Sequence, residues 1–358
     1  MTLRKSRQKQ AQQLRSQEQP TCGLFDYVSI YLTERCNLRC AHCFMGSRLE
    51  APKEFSDQGI WDALQYFRVL GATRLTLTGG EPTLYGKLPE VIRKAASLGY
   101  RVTVNSNGSF SPDWLHQVDP GWLEYLSISV DGACAKTHDR VRGSGSFADC
   151  TANIERAVSQ GFRVRIISTL SDMNLGEGLD IIRLADELCI DLVNFHIFVP
   201  QGQGRVHTDW QVAPADWVEF CCELEETSHR FRASIRYPPA YATVDTLPHF
   251  IQRGYQGCLG RQMNMCSLFP NGEVYICAIM FDAKNNFASY RGNCLAIEHG
   301  NRSELEMFTE IPQKCLDCSL LSACRGGCAA QRELLGMHTC AGEDGYIPMC
   351  ILWKVHTL

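Results

Sequence analysis

From Tyr27 to Val199 the apolar positions switch repeatedly between two periods. Short runs rich in β-branched and aromatic residues recur at Tyr27–Thr33, Arg74–Thr78, Arg101–Asn105, Tyr125–Val130, Val164–Thr169 and Leu192–Val199, and each predicts a strand. Between them the spacing turns helical. Ile60, Trp61, Leu64, Phe67 and Leu70 form one face, with Ser56 or Asp57 as the cap and Gly71 as the stop. Leu88, Val91, Ile92 and Ala95 repeat that pattern, as do Ile154, Ala157 and Val158, then Ile181, Ile182 and Leu184. Six strand–helix units in series predict a parallel sheet, because each right-handed crossover returns the chain in the same direction. Six fall short of the eight of a closed barrel, so the expected fold is α/β, a partial and open (β/α)6 TIM-like barrel. Functional residues then belong on the loops leaving the C-terminal ends of the strands.

After Gly204 the alternation is expected to stop. Residues 205–255 read as a linker or helical bridge, with a helical stretch at Asp216–Arg232 and a break at Pro238-Pro239. From Cys258 onward cysteines dominate and long periodic elements are absent. Residues 256–358 are therefore expected to form a cysteine-rich domain with little regular structure, in which ligands replace a hydrophobic core. The barrel is assigned residues 27–204. Residues 1–26 read as a polar, partly disordered tail, in which Arg4, Lys5, Arg7, Lys9 and Arg15 face only Glu18.

Composition narrows the function. A 45% hydrophobic, 21% charged chain of 358 residues is that of a soluble globular protein. No apolar run approaches the roughly 20 residues of a membrane helix. The formal charge of −4 argues against a nucleic-acid or anionic-membrane binder. The outlier is cysteine, with 19 residues, ten of them between 258 and 350. An odd count without a signal-peptide core argues against a secreted disulfide scaffold, which leaves metal or cluster ligation.

The first strand runs into Cys36-x3-Cys40-x2-Cys43, three thiols able to wrap one metal centre. Zinc takes four protein ligands, or three and a water, and His42 is a conceivable fourth, although its neighbour Cys43 already points at the metal. An iron–sulfur cube takes thiolates, and three leave one iron open. This loop resembles the signature of the radical S-adenosylmethionine (SAM) enzymes, in which an aromatic residue precedes the last cysteine; His42 stands there.

The resemblance continues along the chain and implies a SAM site. Gly79-Gly80-Glu81-Pro82 would hold the methionine amino group, and Asn105 and Asn107 of Asn105-Ser106-Asn107-Gly108 would lie near the ribose. Ser129 and Arg142 would bind the SAM carboxylate, with Arg140 as a substitute. The stretch Val199–Gly204 would pack on the adenine.

Cys315-x2-Cys318-x5-Cys324-x3-Cys328, with Gly272-x4-Cys277 upstream, resembles the SPASM extension of these enzymes, which carries two auxiliary 4Fe–4S clusters. Carried over, Cys258, Cys266, Cys277 and Cys328 would hold one auxiliary cluster. Cys315, Cys318, Cys324 and a late cysteine would hold the other. Cys350, in an apolar segment, is favoured over Cys340; the family's usual gap lies between the two. A zinc ribbon over 315–328 is the alternative. Three clusters and SAM are thus implied.

The implied chemistry is cleavage of SAM to a 5′-deoxyadenosyl radical that abstracts hydrogen from a substrate carbon. SPASM enzymes mostly modify ribosomally made peptides or proteins by cross-linking, thioether formation, epimerisation, backbone excision or oxidation. The leading expectation is such a maturase, cytoplasmic, fed by a reductase such as flavodoxin or ferredoxin. The short N-terminus suggests that a separate small protein presents the leader peptide. The alternatives are a dehydrogenase, decarboxylase or epimerase of a sugar or small antibiotic precursor, and a non-catalytic cluster-binding regulatory protein. Asp131, His138, His196 and Cys340 are candidates for proton or hydrogen transfer, without an assignment among them.

Overall fold

The computed structural model describes residues 24–277, 279–281, 285–298, 304–335 and 345–357. Strands β1 (Tyr27–Thr33), β2 (Arg74–Gly79), β3 (Arg101–Ser106), β4 (Leu123–Ser129), β5 (Val164–Leu170) and β6 (Leu192–Ile197) pair in sequence order, all parallel. Helices α1 (Asp57–Val69), α2 (Leu88–Ser97), α3 (Ala135–Arg142), α4 (Ser146–Ser159) and α5 (Gly178–Glu187) lie between them. The two ends of the sheet do not meet, so the barrel is partial.

Local chemistry explains these elements. Ser56 caps α1 by accepting the Gly59 N–H at 3.1 Å, and Gly71 ends the helix region at φ 101°. Ile60, Leu64 and Phe67 are fully buried on its inner face. Each stabilises the fold by roughly 1.5–3 kcal/mol relative to exposure. On β5, Val164, Ile166, Ser168 and Leu170 are buried against the helices. Arg165, Ile167 and Thr169 alternate with them and are less buried, on the lumen side.

The alternation runs one unit further than expected. Helix α6 (Pro214–Thr227) leads to β7 (Ser234–Tyr237), which joins β6 in parallel with Leu192 opposite Ser234 and Asn194 opposite Arg236. Four residues are too few to show a strand period. Pro238 and Pro239 then end the strand, because neither can donate to a ladder.

The cysteine-rich stretch extends the same sheet at both edges. After the two-residue β8 (Tyr241–Ala242), β9 (Met265–Leu268) runs parallel to β1, with Cys266 opposite Val28. Strands β10 (Glu273–Tyr275), β11 (Ala288–Arg291) and β12 (Cys294–Ile297) continue outward in antiparallel fashion. At the far edge, β13 (Ile347–Pro348) pairs with β8, and β14 (Val355–His356) pairs antiparallel with β7. The result is a twelve-stranded sheet: a long parallel partial barrel with a cysteine-rich C-terminal region, the α/β class expected.

Candidate active site

The Cys36–Cys43 loop leaves the C-terminal end of β1 and is fixed at several points. Glu34, buried at its root, accepts from Arg48 Nη1 at 3.0 Å and from the Lys53 N–H at 2.9 Å. Ala41 N–H donates to Val141 at the end of α3 (2.8 Å), and Gln203 N–H donates to Cys43 (2.8 Å). The three thiols lie close enough to bear on one another's charge. Burial pushes all three up, Cys40 to about 12, against the pull of the Arg142 guanidinium 4.0 Å from its sulfur. A metal centre would have to displace those protons on binding. Three thiols on one loop suit an iron–sulfur cube with one iron left for another ligand.

An aromatic wall that sequence spacing does not reveal stands beside two of these cysteines. Tyr31 stacks on Phe269 at 4.1 Å, and Tyr275 and Phe281 close the cluster against Cys36 and Cys43. Such a wall keeps water from the thiols.

Gly79 and Gly80 pack directly on the loop's root. A Cβ there would lie 2.3 Å from the Thr33 carbonyl oxygen and 2.2 Å from that of Arg35, so no larger residue fits. The peptide N–H groups of Gly80 and Glu81 donate to these same carbonyls at 2.7 Å. The Glu81 carboxylate is fully buried and accepts from Thr83, from Ser106 Oγ at 2.8 Å and from Asn107 N–H at 2.7 Å. Its side chain therefore ties β2 to β3. Asn107 reaches the loop, donating to Asn37 at 2.9 Å and approaching Cys36 Sγ at 3.8 Å. Asn105 keeps a buried amide oxygen with no partner. Gly202, in the stretch after β6, presses on the loop, since a Cβ there would meet the Cys43 carbonyl oxygen at 2.5 Å.

Asp131, just beyond β4, is the hub of the site. Oδ2 receives Arg142 Nε at 2.6 Å and lies 2.7 Å from His42 Nε2, while Oδ1 accepts the Thr169 N–H at 2.7 Å. Burial alone would raise this carboxyl, but Arg142 and His42 hold it well below the usual range. Arg142 is buried here, whereas Arg140 is exposed. Ser129 ends β4 at the same rim. His138 accepts the Asp131 N–H at 3.3 Å, and burial with the nearby Arg142 lowers it to about 4, so it is neutral. Sequence reasoning had no signal for the pairing of His42 with Asp131, which joins two distant loops.

Residues 30–188 match the radical SAM superfamily. The AdoMet-dependent heme synthase of Nitratidesulfovibrio vulgaris is 31% identical over 331 residues, 87% of this chain and 88% of the relative. This chain belongs to the radical SAM superfamily. Another relative of the same enzyme superfamily is the mycofactocin maturase MftC of Mycolicibacterium smegmatis, 26% identical over 336 residues (89% of this chain, 81% of the relative). Among solved structures, anSMEcpe with bound AdoMet shares the fold at TM-score 0.66 and 18% identity, covering 91% of this chain and 93% of that one. SuiB of Streptococcus suis does so at TM-score 0.66 and 16% identity, covering 86% and 74%. As a radical SAM enzyme, the chain uses SAM and a 4Fe–4S cluster. Among the described residues no helix is long and apolar enough to cross a membrane.

Among the remaining cysteines of this radical SAM enzyme, one group is in direct contact. Cys258, Cys328 and Cys350 are buried and in mutual thiol contact, and the other two thiols hold Cys258 well below the usual thiol range. Cys277 bears on Cys258 and Cys328. Cys350, expected with Cys315, Cys318 and Cys324, thus lies against Cys258. Its position follows from local bonds: Leu259 N–H points at Cys350 Sγ (3.4 Å), and Gln331 bonds the neighbouring Met349 carbonyl at 2.7 Å. Cys266 stands apart. It lies fully buried on β9 in the core, where the Glu304 carboxyl bears on it. Cys315 and Cys324 are buried and Cys318 partly so, while Cys340 lies outside the described residues.

Proposed function

We propose that the protein is a radical SAM maturase of a ribosomally made peptide or protein. Cys36, Cys40 and Cys43 hold the SAM-binding cluster, and the C-terminal cysteines hold two auxiliary clusters. The observation that carries the reading is the placement of these three cysteines on one loop at the C-terminal end of β1, with Arg142 4.0 Å from Cys40 and the Gly79-Gly80 turn packed on the loop's root. When bound, the cluster and SAM supply a 5′-deoxyadenosyl radical able to take hydrogen from an unactivated carbon.

The chain's own residues orient and shelter that chemistry. Arg142, with Nε engaged by Asp131, presents Nη1 toward Cys40 and is suited to the SAM carboxylate. The backbone of Gly79 and Gly80 approaches the site closely, while Glu81 keeps the β2 and β3 ends in register. The Tyr31 and Phe269 wall excludes water. A peptide substrate is supported by the 26% identity to MftC across most of both chains, and by the fold shared with a SuiB structure whose bound precursor is the peptide SuiA. A reductase such as flavodoxin or ferredoxin would supply the electron, and a separate recognition protein would present the peptide.

A second reading has its own support. The 31% identity to a heme synthase favours a small-molecule substrate of tetrapyrrole type. Anaerobically reconstituted, reduced protein separates the two. Precursor peptides that gain or lose mass while 5′-deoxyadenosine accumulates support the maturase. Turnover of iron coproporphyrin with peptides untouched overturns it.

A further inference from the structure

Within the barrel three basic side chains from three separate segments lie within reach of one another's charge. Arg165 projects from the lumen side of β5, His196 from β6, and Lys354 from the turn entering β14. Lys354 Nζ donates to the Phe195 carbonyl. It reaches that oxygen beside the point where Pro238 ends β7. His196 feels the charge of both Lys354 and Arg165.

No carboxylate answers them. Among the described residues, none of the three forms an ion pair within 4.0 Å. The acids that bear on them are already committed: Asp131 to Arg142 and His42, and Glu124 to Arg101. Arg165 has only the Ser127 hydroxyl, at 2.7 Å, and the face of Tyr125. Asn194, 9% exposed, sits beside His196 at 3.3 Å and keeps a buried amide oxygen without a partner. Half-buried basic groups without a counter-charge favour an anionic ligand.

The group is also in the right place. Thr169, opposite His196 in the β5–β6 register, gives its N–H to Asp131, whose partner Arg142 touches Cys40. An anion held by Lys354 would therefore sit on the barrel strands that a chain of contacts through Thr169, Asp131 and Arg142 links to the cysteine loop.

We propose that Lys354, with His196 and Arg165, forms a carboxylate-binding site inside the barrel that anchors the substrate. The assignment deepens the radical SAM reading and rests on it.

The probes are 3-phenylpropionate and its uncharged amide, titrated calorimetrically into the anaerobically reconstituted full chain. The wild type is expected to prefer the carboxylate roughly 10-fold or more. Lys354→Met is expected to abolish the preference and Lys354→Arg to restore part of it. Equal binding of acid and amide, or an unchanged preference in Lys354→Met, overturns the site. Should that variant fail to fold, acylation of wild-type Lys354 by acetic anhydride reads the same contact: protection by the acid alone supports the site, and equal labelling overturns it. Tighter binding of N-acetylphenylalanine than of 3-phenylpropionate assigns the carboxylate to a peptide terminus, and the reverse assigns it to a small acid; either supports the site. Formation of 5′-deoxyadenosine from SAM is followed in parallel and reads the radical chemistry. Equal binding of acid and amide by the wild type, with that output intact, overturns this site alone.

Discussion

His42 Nε2 lies 2.7 Å from Asp131 Oδ2, and this contact fastens the cysteine loop to the end of β4. The same oxygen holds Arg142. One fully buried carboxylate thus sets the position of a loop residue between two candidate ligands and of the cation beside one of them, Cys40.

Asp131→Asn keeps the shape but leaves Arg142 without its counter-charge. Breaking a buried pair in this way costs about 3–5 kcal/mol. Chemical denaturation is expected to show that loss, and iron bound at the first cluster is expected to fall with it. His42→Phe leaves the Arg142 pair intact and is expected to cost clearly less. Equal losses in the two variants would mean that Asp131 does not organise the loop.

His138 gives the pH dependence its sign. Its folded-state value, about 4, lies below the ordinary value of 6.5, because burial and then Arg142 oppose its charge. As pH falls from about 6.5 toward about 4, the unfolded chain takes up a proton that the native chain refuses, so stability drops. The slope is about 1.4 kcal/mol per pH unit at most for this group. In His138→Gln the plot of unfolding free energy against pH is expected to be flatter by about one proton across that window. A histidine NMR titration near its ordinary value would contradict the assignment.

Gly80→Ala places a methyl 2.2 Å from the Arg35 carbonyl oxygen, which the backbone must yield to accommodate. Overpacking of this kind costs roughly 1–3 kcal/mol or more. The expected result is a lower melting temperature and less iron after reconstitution. Gly86→Ala, where nothing lies within 4 Å of the added methyl, is the matched control and should leave both unchanged.

Cys266 and Cys277 separate spacing from geometry. Cys277→Ala is expected to lose about four irons per chain, one cube, while Cys266→Ala retains the full iron content. Iron and sulfide analysis with electron paramagnetic resonance reads the difference. Loss of a cluster signal in Cys266→Ala would return that residue to the ligand set.

The parts of this protein that were readable in the sequence are those governed by local rules. The helix face of Ile60, Leu64 and Phe67, its Ser56 cap and its Gly71 stop all stand where spacing put them. The six strands do as well, because parallel strands buried on both sides are written as short apolar runs. The seventh strand was hidden by its brevity and by the turn Ser228–Arg230 before it. The extension of the sheet by β9 was hidden for another reason. A pairing between β1 and a strand so distant in sequence leaves no periodic trace, and the four residues Met265–Leu268 are half masked by cysteine.

At the site, Cys36, Cys40 and Cys43 and the two glycines were legible because their chemistry is set by residue type. Asp131 was visible only as a candidate, since what distinguishes it is the convergence of His42, Arg142 and Thr169 from three other segments. Lys354 carried no signal at all. Its role depends on where Pro238 stops a strand and on which cations it meets inside the barrel.

The pairing of β9 with β1 also bears on how the molecule is made. Tyr27–Thr33 leaves the ribosome early, while Met265–Leu268, which covers its flank, follows only after nearly the whole barrel has been synthesised. At roughly 5–20 residues/s the growing chain carries a naked strand margin for tens of seconds. Aggregation during translation, and with it a demand for chaperones, should therefore be most acute in that interval and end once the late strand docks.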